Sequence, residues 1–264
     1  NPLIIDNLSN IAPVCYGASD GELIIDINPI ATWPLTYSIN SASCNSLIFS
    51  QNDSLFENLY ADTFCIVITD AYGCTIDTTV IVNEYDSIGI IVDEIINVSC
   101  YNGNDGSIEV SAFGGVSPYN WQWDTTQSTT IIDTFPLVDN LTEGTYTVTV
   151  TDTVGCQGVA ADIEITQPVP LQLNDTVIQD VSCNGGDDGQ AEVSVSGGTP
   201  DYDYDWSNGE ITSIATSLTA GIDTCTVTDA NGCTASILVD ISESTQLELT
   251  LQITNNLCAG DING

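Results

Sequence analysis

Apolar residues fall at every second position along much of this chain. Leu23, Ile25 and Ile27 follow one glycine, Ile108, Val110 and Ala112 a second, and Ala191, Val193 and Val195 a third. A period of two describes a strand with one face buried. A turn comes next, GGVSP from Gly114 and GGTPD from Gly197, and then a second alternating run. In that run Leu35, Tyr37 and Ile39 match Tyr119, Trp121 and Trp123, and also Tyr202, Tyr204 and Trp206. These aromatics read as core rather than as a sugar-binding platform, because each has the inward parity of its strand. A third signature, FCIVITDAYGC, YTVTVTDTVGC or TCTVTDANGC, alternates apolar residues with threonine and ends in Asp-x-x-Gly, which is hairpin-turn chemistry. A last strand leaves through CTIDTTVIV, CQGVAADIEI or CTASILVDI. There is no amphipathic helical pattern of useful length. Short strands separated by Gly, Pro, Asn and Asp predict an antiparallel β-sandwich.

The pattern recurs. CYGASDG starts at Cys15, CYNGNDG at Cys100, CNGGDDG at Cys183 and CAGDING at Cys258, so the steps are 85, 83 and 75 residues (100 − 15, 183 − 100, 258 − 183). The 264 residues therefore divide into repeats at 1–84, 85–168 and 169–246, with 247–264 starting a fourth. Each repeat is small enough to be marginally stable unless a disulfide or a neighbour supports it.

Composition narrows the function. Charged residues make up 14% of the chain and all are carboxylates, giving a formal charge of −37, and Lys, Arg, His and Met are absent. No imidazole, amine or guanidinium is present to carry protons, form a Schiff base or clamp an anion. An enzyme would have to work with carboxylates, hydroxyls and thiols alone, and no repeat is long enough to add a domain with a cleft. Binding to nucleic acid or anionic lipid needs cations that this chain lacks. A surface of carboxylates repels its own kind, tolerates salt and gives trypsin-like proteases nothing to cut. No run of 18 apolar residues and no signal-like amino end occurs, and Gly264 falls inside a repeat motif, so an internal piece of a longer, processed polypeptide is expected.

The combination of Cys with Asp-Gly five residues on, then Gly-Gly-x-Pro-x-Tyr-x-Tyr-x-Trp-Ser-Asn-Gly, then TVTDANGC, with ITQP from Ile165 closing the second unit, resembles the SprB-type repeat. The resemblance runs through the whole chain. It is strongest in the third repeat, fair in the second and weak in the middle of the first, where SINSASCNSLIFSQNDSLFENLY departs from the pattern. Repeats of this type are found in very large type IX-secreted adhesins of gliding Bacteroidota and are similar to PKD modules. The resemblance implies an all-β chain of immunoglobulin- or PKD-like sandwiches stacked into a rod, exposed at the cell surface. It does not imply a ligand.

Ten cysteines in an extracellular chain form a disulfide framework by default, and paired C-x-x-C zinc spacings are absent. Pairing within repeats would join Cys15 to Cys74, Cys100 to Cys156 and Cys183 to Cys233. An immunoglobulin-like topology places those partners at opposite ends of a sandwich, beyond the Cα separation of about 7 Å that a disulfide allows. On that topology the favoured pairs lie between repeats, Cys15 with Cys156 and Cys100 with Cys233. Cys74, Cys183 and Cys258 then reach toward partners partly outside the chain. Cys44 and Cys65 occur only in the first repeat, and the outward parity of Cys65 suggests a bridge across the sheet face. Cys225 stands in the inward place of Val148 and Asp223 in that of Tyr146, with no physical account from sequence.

Asp20, Asp105 and Asp188, with Asp187 beside the last, invite a calcium reading. Their spacing completes no calcium loop, and capping of turn amides explains them better. Only weak, diffuse divalent binding is expected. The triplets Asp152-Thr153-Val154 and Asp175-Thr176-Val177 look like Bacteroidota O-glycosylation acceptors, a pattern that threonine-rich strands also produce by chance. The functional expectation is a non-enzymatic shaft segment of a cell-surface filament or adhesin, serving gliding, attachment or cell capture. Its partners would be neighbouring repeats and laterally associated copies. Carbohydrate- or calcium-binding lectin-like modules are the alternative.

Overall fold

A computed structural model describes residues 3–28, 31, 33–44, 46–125 and 134–252. Among these residues every regular element is a strand, and no helix is long and apolar enough to cross a membrane. The chain forms two compact units. One holds residues 1–97 and 104–166, and the other holds Val98–Gly103 with 167–264.

The first unit begins with β1 (Ile5–Ile11), β2 (Gly21–Ile27), β3 (Thr36–Ser41), β4 (Leu47–Gln51), β5 (Leu55–Leu59), β6 (Asp62–Thr69) and β7 (Thr75–Val82). Two antiparallel sheets, ordered β1-β2-β5 and β4-β3-β6-β7, enclose one apolar cluster. Leu23 and Ile25 of β2 and Phe56 of β5 are buried there with Tyr37, Ile39, Ile66 and Ile68 from the other sheet. The unit continues with β8 (Gly89–Ile96), β9 (Gly106–Phe113), β10 (Asn120–Thr125), β11 (Leu137–Leu141), β12 (Gly144–Thr151) and β13 (Gln157–Ile165). Their sheets are ordered β11-β9-β8 and β10-β12-β13.

The second unit repeats this plan with β14 (Gln172–Gln179), β15 (Gly189–Ser196), β16 (Tyr202–Trp206), β17 (Ile214–Leu218), β18 (Gly221–Asp229) and β19 (Thr234–Ile241), in sheets β14-β15-β17 and β16-β18-β19. The six strands common to all repeats can be lettered A, B, C, E, F and G in chain order. The letters give the A-B-E and C-F-G sheets of an immunoglobulin-like sandwich, and β4 is an additional edge strand in the first repeat. The chain is thus all-β, in tandem immunoglobulin-like sandwiches.

Alternation in the sequence becomes alternation in burial. In β9 Gly106, Ile108 and Val110 are buried, and in β15 Gly189, Ala191 and Val193. Trp123 and Trp206 are buried, and each indole N–H donates across the core edge, to Phe135 O and Thr212 O, both at 2.8 Å. Tyr119, Trp121, Tyr202 and Tyr204 are half-buried. Tyr119 and Tyr202 use their hydroxyls to tie back to Gly114 O (2.6 Å) and Gly197 O (2.7 Å).

The motif glycine has a steric cause. A Cβ on Gly21, Gly106 or Gly189 would lie 2.8, 3.0 or 2.9 Å from the carbonyl oxygen of Leu59, Leu141 or Leu218 at the end of strand E. The Gly-Gly of the B–C turn is also obligatory. Gly114 and Gly197 have φ of +77° and +74°, and a Cβ there would come within 2.1 Å of Ser87 O or Pro170 O.

Candidate functional site: the cysteine-bearing turns

The A–B turn carries the motif cysteine, and all three turns are built alike. Ala18, Gly103 and Gly186 donate their N–H to the carbonyls of Cys15 (3.0 Å), Cys100 (2.9 Å) and Cys183 (2.9 Å). A side chain just past strand G closes each turn. The N–H groups of Gly17 and Gly185 donate to the Glu84 and Glu243 carboxylates, both at 2.7 Å, and that of Asn102 donates to Gln167 Oε1. These three caps escaped the sequence reading. Their only signal was a shared glutamate or glutamine following the last strand, visible in the ITQP match. Asp20 and Asp188 accept the N–H of Val14 (3.0 Å) and Ser182 (2.9 Å), and Ser182 Oγ also donates to Asp188. The Ser182 hydroxyl and amide hold the Asp188 carboxyl below its ordinary range.

The F–G turn carries the other cysteine and is equally uniform. Asp70, Asp152 and Asp229 each accept the N–H of the cysteine four residues on, Cys74, Cys156 and Cys233, all at 2.9 Å on Oδ1. The second carboxylate oxygen of Asp152 and Asp229 reaches the B–C turn, at Val116 N–H (2.9 Å) and Thr199 N–H (2.8 Å). Burial pushes the pKa of these two carboxyls up. Backbone donors, from Val116, Cys156, Val154 and Gly155 and from Thr199, Cys233, Asn231 and Gly232, more than reverse that shift, so both stay below the ordinary range. One aspartate therefore fixes the cysteine's turn to the neighbouring turn of its own sandwich.

Within the first unit, Cys15 is joined to Cys156, with Cα atoms 5.5 Å apart. Within the second, Cys100 is joined to Cys233 at 5.7 Å, and Asn231 Nδ2 donates to Ser99 O at 3.0 Å beside the bond. Each bond links an A–B turn to the F–G turn of the following repeat. Cys44 is joined to Cys65 at 5.2 Å. Cys65 has outward parity on β6 yet is fully buried, in a sheet that Asn40 of β3, donating to Cys65 O, also joins.

Cys74 and Cys183 are free and exposed, and Cys225 is free and buried. Cys258 lies outside the described residues. Burial, then the charge of Asp205, pushes the Cys225 thiol up to about 11. Asp223 is accounted for in the structure: its carboxylate lies at the partly exposed end of β18 and accepts the Ser207 hydroxyl at 2.6 Å. Among the described residues, the only three candidate metal-ligand atoms lying within 4.8 Å of one another are those of Cys44, Cys65 and Asp77. The two sulfurs there are already bonded to each other. Of the two glycan triplets, Thr153 is exposed but donates its hydroxyl to Val116 O (3.0 Å), while Thr176 is exposed on strand A of the third repeat.

Residues 93–128 and 176–210 match the SprB repeat family. These segments run from strand A through strand C of the second and third repeats, and the chain carries SprB repeats at both places. No curated protein matches the sequence. Among solved structures, the three N-terminal domains of the Hoc outer capsid protein of bacteriophage RB49 are 13% identical, with 93% of this chain and 100% of that one covered and a TM-score of 0.43. The N-terminal eight immunoglobulin domains of Down syndrome cell adhesion molecule are 13% identical, with 90% and 36% covered and a TM-score of 0.41. The titin I-band fragment I67-I69 is 11% identical, with 93% and 99% covered and a TM-score of 0.37.

Proposed function

We propose that this chain is a non-enzymatic shaft segment of a large extracellular filament or adhesin of the type IX-secreted, gliding-associated kind, with its sandwich repeats at 1–84, 85–168 and 169–246 and a fourth beginning at 247. The observation that carries this reading is the interleaving of the disulfide loops. Cys15–Cys156 and Cys100–Cys233 span 141 and 133 residues and overlap between 100 and 156. No repeat can be drawn out of the array without breaking a covalent bond. In the chain-entropy picture a loop of this length opposes unfolding by up to about 5 kcal/mol. Disulfides of this kind persist in oxidising, extracellular surroundings.

The mechanism is mechanical. Strand pairing and buried tryptophans resist shear, the interleaved bonds limit extension, and a charge of −37 keeps neighbouring shafts apart. Binding specificity would lie elsewhere in the full protein. Two experiments test this. Electron microscopy of the native filament should show a shorter persistence length after reduction. Glycan arrays and calcium calorimetry on the 264-residue chain should give no saturable site. A site recurring once per repeat would favour the lectin-like reading instead.

A further inference from the structure

We propose that Cys183 and the segment Ser244 to Leu247 form a socket for the F–G turn of another SprB-type repeat, closed by a disulfide to that turn's cysteine, with Cys74 as the matching plug. The setting rests on the shaft reading, and the geometry stands on three equivalent hollows. In the first, Cys15, Tyr16 and the segment Tyr85 to Ile88 face Gly115 and Cys156. In the second, Cys100, Tyr101 and the segment Pro168 to Leu171 face Gly198, Asp229 and Cys233. The third is lined by Ser182, Cys183, Asn184 and Ser244 to Leu247, the positions that form only one side of the other two.

The apolar residue that ends each segment shows what the third hollow lacks. A Cβ on Gly115 would lie 2.7 Å from Ile88, and one on Gly198 would lie 2.8 Å from Leu171, so both side chains are seated on the Gly-Gly turn of the following sandwich. Leu247 holds the same place and is 99% exposed, and Leu249 and Leu251 beyond it are 88% and 78% exposed. The three leucines alternate with the period of a strand that has one apolar face, and all three are exposed. The turn itself is already in its bonded form, with Glu243 and Asp188 holding Cys183 as Glu84 and Asp20 hold Cys15. Cys74 is likewise preset, with Gly73 N–H on Asp70 O (3.0 Å) and Asp70 N–H on Cys74 O (3.0 Å), as in the two bonded F–G turns.

The joint is directional. An A–B cysteine takes an F–G cysteine, so identical or related chains would add head to tail, in a heterologous contact that does not close on itself. The two thiols give up two protons and two electrons to a disulfide oxidant such as glutathione disulfide, which leaves as two thiols.

The test is a non-reducing Glu-C and chymotrypsin digest of the native protein, read for the partner of Cys183. The expected partner is a peptide with an Asp-x-x-Gly-Cys turn. The Cys74 peptide would identify a second copy, and a peptide foreign to this sequence would identify another repeat. In parallel, Cys74→Ser and Cys183→Ser chains are mixed in glutathione redox buffer. For a joint between copies, the mixture should form Cys183–Cys74 dimers at least tenfold over the symmetric dimers of either variant alone. A free Cys183, a Cys183–Cys183 pair, or a glutathione adduct in the native protein overturns the proposal. If Cys100–Cys233 is intact in that same digest, the shaft reading survives the loss of the socket.

Discussion

Reducing the disulfides should lengthen the force-unfolded path between Cys15 and Cys233 nearly fourfold. With both bonds intact, the taut path between Cys15 and Cys233 crosses to Cys156, runs backward to Cys100 and crosses again. Its length is the 56 residues from 100 to 156 (156 − 100), since the bonds themselves add only Cα separations of 5.5 and 5.7 Å. At about 3.5 Å per residue this is about 200 Å. With all three disulfides reduced the path is 218 residues (233 − 15), or about 760 Å. A Cys100→Ser chain should stop at 77 residues (233 − 156), about 270 Å, and a Cys156→Ser chain at 64 residues (100 − 15 − 21), because Cys44–Cys65 still closes its 21-residue loop, about 220 Å. Single-molecule pulling from the two ends, with and without reductant, reads these contour lengths, to each of which the 14 residues before Cys15 and the 31 after Cys233 add the same amount (15 − 1, 264 − 233). An oxidised chain that extends as far as the reduced one would refute the reasoning, because its repeats would be independent.

Other outcomes follow from particular contacts. Gly197→Ala places a methyl 2.1 Å from Pro170 O at a φ of +74° and should cost upward of about 2 kcal/mol in denaturant titration; a neutral result would contradict the turn geometry. Cys225→Val restores the residue found at Val148 in the preceding repeat and should change stability by less than about 1 kcal/mol, whereas Cys225→Ser should cost about 1–3 kcal/mol by burying a hydroxyl. Native Cys225, buried and with its thiol pushed up to about 11, should resist alkylation at pH 8 in the folded chain and react only once the chain is unfolded. The Asp229 pKa is depressed below 3.8 in the folded chain, so its contribution is present above the unfolded value and is lost as pH falls toward the folded one. Asp229→Asn should therefore lower Tm at pH 7, and the gap to the natural chain should close below about pH 4; a gap that persists at pH 2 would contradict the role given to the carboxylate.

Strands B, C, F and G were legible because their apolar residues alternate over six or more positions and the alternation is local. Strand E was not, since β5, β11 and β17 are five residues long, with two buried positions three apart in β11 and β17. Strand A also hid, because most of β8 and β14 is exposed and a register shift breaks its parity. The repeating glycine could be seen, but its cause, a carbonyl of strand E more than 25 residues away, could not. The cysteine turns were half legible. Their position relative to the turns followed from the sandwich topology, while the Glu84, Gln167 and Glu243 caps are contacts across 58 to 67 residues. Burial of Cys65 eluded a parity argument because parity assigns a face and not what covers it.

The most direct test of the interleaved shaft is the disulfide map of the oxidised chain, obtained by mass spectrometry after Glu-C and chymotrypsin digestion without reduction. The account requires peptides that join Cys100 to Cys233 and Cys15 to Cys156. Peptides joining Cys100 to Cys156 and Cys183 to Cys233 would contradict it and leave each repeat a separately closed module.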